Sequence, residues 1–303
     1  MTNEHGKAGY DAIVVGGSYA GLAATMQLVR ARRRVLVLDA GERRNRFAAT
    51  SHGFLGQDGR PPADIAAQGR REVEAYPTLS WQEDLAVLAE KQGDAFCVAS
   101  ASGKRFVAHT LILASGVIDE LPDIDGLAER WGRSVFHCPY CHGYELDQGR
   151  IGVLAVGPVS MHHALMLPDW GQVTLLTNAS FTPDAAQRAA LAQRGVTVEA
   201  CAVARIVEHA VVELTDGRRL AFAGLFTASR THVANPLPAQ LGCAFDEGPM
   251  GRYIRTDETR ETSVQSVFAC GDVARTAGNV AFAVGDGAMA GVGAHRRLMF
   301  GRG

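Results

Sequence analysis

The chain has 303 residues, of which 47% are hydrophobic and 20% charged, and 30 basic against 32 acidic residues leave a net charge of −2. These values exclude a disordered or fibrous chain, and nothing in them advertises a polyanion or an anionic membrane as partner. Glycine is in excess, at 34 residues without low complexity, which points to tight turns and to backbone brought close to a ligand. Met1 to Tyr10 is polar and runs directly into an apolar stretch. No leader pattern and no run of roughly 18 apolar residues is present, so a soluble cytoplasmic protein without nucleic-acid or membrane partner is expected. Six cysteines are too few for a disulfide scaffold, so each thiol is read on its own.

Asp11-Ala-Ile-Val-Val-Gly16 predicts a short buried strand. Leu22 to Arg32 follows as a helix of good formers, and Arg34-Val-Leu-Val-Leu-Asp39 as a second buried strand. Together they make a βαβ unit, the opening of a doubly wound parallel sheet. Residues 43–80 are a long excursion rich in Gly and Arg, and 83–113 predict strands around a turn at Gly103-Lys104. Thr110-Leu-Ile-Leu-Ala114 is a further buried strand closed by Ser115-Gly116. A second βαβ opens at Arg150 to Val156, continues through Gly157 and a helical stretch to about Leu167, and closes on the strand Gln172 to Thr177. His162 and His163 start that helix and read as local structure, not as a metal site. Last come a strand ending in Gly271-Asp272 and a Gly/Ala-rich helix reaching about His295.

Gly16-Gly-Ser18-Tyr19-Ala20-Gly21 sits between the first strand and helix, where a dinucleotide fingerprint belongs. Gly16 allows the tight turn and Gly21 the close helix–strand approach; Ser18 replaces the middle glycine but stays small. Asp39 lies 18 residues beyond Gly21, where a carboxylate accepts from a ribose hydroxyl. The competing reading is a glycine turn that binds no phosphate. Arg43, Arg44 and Arg46 follow, either touching a cofactor or simply solvated.

Cys138-Pro-Tyr-Cys141 is the chemical centre. Two cysteines three residues apart meet across one helical turn and can close a disulfide. His137 and His142 flank them as candidate bases or cationic partners. Zinc would need a second ligand pair, and no other Cys-x-x-Cys or His-x-x-x-His is present. Cys138 to His142 also fits covalent haem attachment, which usually needs export. Two idle buried thiols are the bland alternative to a redox-active pair. Cys97, Cys201, Cys243 and Cys270 read as packing residues, and no metal site is expected.

Gly16 to Gly21, Leu113-Ala114-Ser115-Gly116, the Cys pair, the second βαβ and Phe268-Ala-Cys-Gly271-Asp272-Val273 occur in an order that resembles the low-molecular-weight thioredoxin reductase family over nearly the whole chain. The resemblance implies an α/β fold of two Rossmann-like, three-layer nucleotide-binding domains, the second inserted in the first. Residues 1–118 and 245–303 would form a discontinuous FAD domain, and 119–244 a pyridine-nucleotide-like domain carrying the Cys pair. FAD would be held by Gly16, Ser18, Tyr19, Ala20, Gly21, Asp39, Ala114, Ser115, Gly116, Gly271 and Asp272. Cys141 would lie nearest the flavin, Cys138 would exchange with substrate, and the chain would form a homodimer.

Departures from the family narrow the reading. The acid expected after the second cysteine is His142, within Cys141-His-Gly-Tyr-Glu145. The second fingerprint is reduced to Ala155-Val-Gly157-Pro-Val-Ser160, where Pro158 removes a backbone donor, and Thr177-Asn-Ala-Ser180 lacks the cations that grip the 2′-phosphate of NADPH. Weak NADP(H) binding is expected, although an atypical loop could still hold it. These features are similar to the FAD-dependent dithiol oxidases that close disulfides in gliotoxin, holomycin and FK228, and the Cys-Pro-Tyr-Cys form is nearest the bacterial FK228-type members. The resemblance implies a small-molecule dithiol as substrate and oxygen as electron acceptor. His142 is the candidate base, with Glu145 orienting it or sharing its proton; a packing role for His142 stays open. An NADPH-dependent thioredoxin reductase and a catalytically silent flavin sensor are the competing functions.

Overall fold

The computed structural model describes residues 9–301; the polar opening read above as carrying no leader falls mostly outside the described residues. In chain order the first elements are β1 (Tyr10–Val15), α1 (Tyr19–Arg30), β2 (Val35–Asp39), α2 (Pro62–Glu74), β3 (Leu79–Glu83), β4 (Ala86–Gln92), β5 (Ala95–Ser100) and β6 (Arg105–Leu113). Next come β7 (Val117–Glu120), β8 (Val135–Phe136), α3 (Pro139–His142), β9 (Gln148–Leu154), α4 (Met161–Met166), β10 (Gly171–Leu176), α5 (Ala185–Gln193) and β11 (Thr197–Glu199). The remainder is β12 (Val203–Val207), β13 (Val211–Leu214), β14 (Arg219–Ala221), β15 (Gly224–Thr227), β16 (Arg230–Val233), α6 (Leu237–Gln240), β17 (Phe245–Gly248), β18 (Gly251–Ile254), β19 (Val267–Ala269) and α7 (Val280–Phe300).

These elements form two compact units. Unit 1 takes the chain up to Arg44, then Ala63–Ile118 and Thr231 onward; unit 2 takes Asn45–Pro62 and Asp119–Arg230.

In unit 1, β3, β2, β1 and β6 pair in parallel. The first half of β6 also pairs antiparallel with β5, and its last residues pair in parallel with β19 (Leu111↔Val267 to Leu113↔Ala269). Ile13, Val14, Leu36 and Val37 are buried, as expected of parallel strands covered on both faces. The glycines of α7 have a steric cause. A Cβ on Gly287 would stand 2.0 Å from the Ala20 carbonyl oxygen, and one on Gly291 would stand 2.5 Å from that of Ala24. α7 and α1 therefore pack backbone to backbone. Asn279 caps α7 by accepting from the Phe282 N–H at 2.7 Å.

Unit 2 repeats the plan with the parallel sheet β11-β10-β9-β15-β8 and adds the antiparallel β12-β13-β14. Both βαβ readings match these strands. The excursion 43–80 holds more structure than its composition suggests, because α2 buries only Pro62, Ile65, Ala66 and Val73 well and so shows no clear period.

The return to unit 1 falls at Thr231, not at residue 245. Leu237 and Cys243 pack into the unit 1 core with Ala89 and Ile254, and Asn235 donates to the Ala86 carbonyl at 2.7 Å. The short, proline-flanked α6 that carries this contact has no periodic signal. Residues 45–62 also leave the expected boundary, since Phe47 lies against Gly132, 2.9 Å from where that glycine's Cβ would stand.

Asp286 on α7 is 2% exposed. It pairs with Arg260 at 2.5 Å and with Arg275 through two contacts, one at 3.1 Å. Removing a buried carboxylate leaves its partners' charge uncompensated. Asp286→Ala should lower unfolding stability by about 3 kcal/mol in denaturant titration; a loss within the scatter of the measurement would show that water screens the two arginines.

Candidate active site

The unit 1 crevice is assembled by strand ends. Gly16 N–H donates to Leu38 O (2.8 Å), Ala114 N–H to Val15 O (2.8 Å) and Cys270 N–H to Leu113 O (3.1 Å). The loops after β1, β2, β6 and β19 thus share one edge. Gly16 has φ +102°, and a Cβ there would meet the Ala114 carbonyl oxygen at 2.3 Å; one on Gly21 would meet Gly16 O at 1.8 Å. Neither position admits a side chain. Ser18 caps α1 without a side-chain hydrogen bond, and the helix starts at Tyr19, three residues earlier than expected, taking Tyr19, Ala20 and Gly21 into its first turn. Asp39 accepts from the Gly17 N–H at 3.0 Å. Gly271 has φ +76° and abuts Ala20, while Asp272 pairs with Arg44 at 2.8 Å.

This donor set fits a dinucleotide. The Ser115 hydroxyl and the Trp81 indole N–H are buried without a hydrogen-bond partner in the protein. Trp81 lies against Gly17, at 2.5 Å from its would-be Cβ, under the Arg70 guanidinium at 4.5 Å. Gly16 to Gly21, Asp39, Ala114 to Gly116 and Gly271-Asp272 could hold FAD. Trp81, in the middle of β3, belongs to no motif, and Arg44 is one of three arginines after Asp39 between which the sequence does not choose.

In unit 2, Cys138 and Cys141 are joined as a disulfide with Cα atoms 5.3 Å apart. Proline makes this turn. It pushes the residue before it into extended backbone, where Cys138 lies at φ −114°, ψ 110°, and Pro139 itself opens α3. Cys141 N–H then donates to Cys138 O at 3.2 Å. Gly143 follows because a Cβ there would meet the Trp170 ring at 2.8 Å, and Trp170 in turn meets Tyr140 edge to face at 5.3 Å. Cys97, Cys243 and Cys270 are buried and Cys201 is half-buried; burial pushes the Cys270 thiol far up, consistent with packing roles.

His142 stacks on Phe136 at 4.3 Å between centroids. Burial first, and His52 second, hold its pKa down to about 4. Glu145 is engaged elsewhere, by His52 Nδ1 at 3.3 Å, and the same nitrogen lies 3.6 Å from Asp58. The structure therefore joins Glu145 to His52, a residue no motif indicated, since it lies in the excursion far upstream of the cysteines.

The second phosphate turn is closed on itself. Ser160 Oγ accepts from the Val156 N–H at 3.0 Å, Pro158 opens a single tight turn, and Val156 and Val159 are exposed. Asn178 accepts from the Val203 N–H at 2.8 Å. Among the described residues no group of three or more His, Cys, Asp or Glu could hold a metal ion, and no helix is long and apolar enough to cross a membrane.

Residues 10–287 match the family model for pyridine nucleotide-disulphide oxidoreductases. An oxidoreductase from Agrobacterium tumefaciens is similar in structure, with a TM-score of 0.94 and 57% identity over 96% of this chain and 99% of that one. HlmI is similar with a TM-score of 0.89 and 35% identity over 97% and 95%. Thioredoxin reductase tcpT of Claviceps purpurea (strain 20.1) is 32% identical over 95% of this chain and 94% of its own length. Thioredoxin reductase sirT of Leptosphaeria maculans is 30% identical over 94% and 93%.

The depressed His142 pKa is also a statement about stability. Between about 4 and the ordinary 6.5, the unfolded chain binds a proton that the folded chain refuses, so stability is full above the upper value and falls as pH drops toward the lower. Denaturant titrations at pH 7.5 and 4.5 should show this loss, at most about 3 kcal/mol from this ring. His142→Gln should lose less over the same interval; an equal loss would mean that other groups carry it.

Proposed function

The chain belongs to the pyridine nucleotide-disulphide oxidoreductase family and is an FAD-dependent disulfide oxidoreductase, and on that premise we propose that it oxidises a small-molecule dithiol to a disulfide. The observation that carries the direction is the closed turn Val156–Ser160. The Val156 N–H is already taken by Ser160 and Pro158 offers none, so this turn has two backbone donors fewer to give a pyridine-nucleotide phosphate. The Cys-His-Gly-Tyr-Glu run, similar to that of the gliotoxin, holomycin and FK228 enzymes, supports a natural-product dithiol. Tyr140 and Tyr144, 71% and 85% exposed beside the cysteines, offer aromatic surface to such a molecule.

A substrate thiolate attacks Cys138 Sγ, and Cys141 leaves as thiolate. The second substrate thiolate then attacks the substrate sulfur of the mixed disulfide, and Cys138 leaves. The product carries the new S–S bond, and the cysteine pair holds the two electrons. His142 is the proposed acceptor for the substrate's thiol proton; with its pKa held down to about 4 in the resting enzyme, it takes that proton only as a thiolate forms beside it and stabilises the imidazolium. Glu145 is held by His52 Nδ1 at 3.3 Å, so the carboxylate is engaged there and not by His142. Bound FAD supplies the two-electron acceptor that restores the disulfide. Oxygen is the proposed terminal acceptor, reduced to hydrogen peroxide.

The second reading is a reductase that takes electrons from NADPH; the names of the tcpT and sirT relatives favour it. Anaerobic stopped-flow absorbance separates the two. A small dithiol, and not NADPH, should bleach the flavin rapidly, and air should restore it. Cys138→Ser should stop turnover while leaving FAD bound. Rapid bleaching by NADPH would overturn the oxidase reading.

We also propose a homodimer, supported by the exposed apolar stripe of Phe282, Met289, Val292 and Met299 along α7. Sedimentation should give twice the chain mass and Met289→Glu a single chain; a wild-type monomer would rule this out.

A further inference from the structure

The histidine pair that opens α4 reads as local structure in the sequence, yet one member reaches the cysteine turn. His163 is 8% exposed, and its Nε2 lies 2.8 Å from the backbone carbonyl oxygen of His137. A carbonyl can only accept, so the ring donates from Nε2. His137 immediately precedes Cys138, and its carbonyl belongs to the same planar peptide as the Cys138 N–H. We propose that His163 is a positioning residue for disulfide exchange, fixing the peptide that enters Cys138 and so the presentation of its sulfur to substrate.

Three observations carry this. First, Cys138 is fixed from its other side by Pro139, whose ring holds the residue before it extended. With the preceding peptide tied to His163, both bonds flanking the Cys138 Cα are constrained. Secondly, His163 has little freedom of its own. Its ring packs against Phe226 at 6.3 Å, Phe226 against Phe136 at 5.7 Å, and Phe136 against His142 at 4.3 Å. One aromatic column thus runs from the anchoring histidine to the histidine beside the disulfide. Thirdly, His163 stands in the first turn of α4 and is buried there, so the helix itself sets its donor against the residue before Cys138. Burial lowers the His163 pKa, which keeps the ring neutral, and the carbonyl acceptor places the single N–H on Nε2.

The proposal rests on Cys138 being the exchanging thiol. Its test uses the FAD-loaded enzyme, reduced anaerobically, with iodoacetamide alkylation of Cys138 followed by mass spectrometry across pH. Turnover with dithiothreitol is measured beside it. His163→Phe fills the space without a donor; His163→Gln restores an N–H near the original nitrogen. His163→Phe should shift the alkylation profile of Cys138 and slow turnover about fivefold, the worth of one neutral hydrogen bond. His163→Gln should recover both to within about twofold, with FAD content unchanged in each. A wild-type profile in His163→Phe, or equal losses in the two variants, would overturn the proposal. If His163→Phe does not accumulate as flavin-bound protein, His163→Leu is judged by the same criteria. Alkylation reads the thiol whichever way electrons flow, so bleaching by NADPH would sink the oxidase reading and leave this result standing.

Discussion

Parallel pairing forces neighbouring strands to end at the same edge, and both candidate sites depend on that constraint. In unit 1 the backbone bonds from Gly16, Ala114 and Cys270 to the adjacent strand ends bring together loops drawn from three distant stretches of sequence. The crevice needs no long side chain to assemble. It needs the absence of side chains at Gly16 and Gly21, where backbone carbonyls occupy the volume a Cβ would take. In unit 2 the same constraint puts β8 at the edge of the sheet beside β15, and the cysteine turn springs from its end.

The chemistry around the cysteines is organised by imidazoles whose environments differ. His142 is stacked and desolvated, so it stays neutral. His52 sits among Glu145, Asp58 and Thr50, with Nδ1 toward the two carboxylates and Nε2 toward the hydroxyl. His163 is held neutral by burial and spends its donor on the backbone. One side-chain type thus meets a ring, a pair of carboxylates and a backbone carbonyl, and environment alone distinguishes the three.

Local motifs were legible because spacing alone defines them. The fingerprint at Gly16 to Gly21, Asp39 at the end of β2, the Cys138–Cys141 pair and the two βαβ units each occupy a short window, and the strands appear where apolar runs predict them. What escaped was whatever depends on contacts remote in sequence. Glu145 sits four residues past Cys141, and proximity along the chain suggested His142 as its partner; the fold supplies His52 instead. The return at Thr231 was hidden because α6 is too short to show a period, and the signal at Phe245 belongs to a strand within unit 1. His163 was visible as a residue but not as an anchor, since its partner is a backbone carbonyl, which no sequence marks.

The membership of residues 45–62 in unit 2 bears on how this architecture can be recombined. The polypeptide passes between units at 44/45, 62/63, 118/119 and 230/231, so unit 2 is not a cassette with two joints. A graft of 119–230 into a relative would bring the cysteines and His142 but leave behind His52, the partner of Glu145, and Phe47, the cover of Gly132. The recipient's own upstream loop would have to match the transplanted surface. The His52–Glu145 and Phe47–Gly132 contacts are therefore inherited by two separated stretches of gene together, and exchange at one stretch alone parts each residue from its partner.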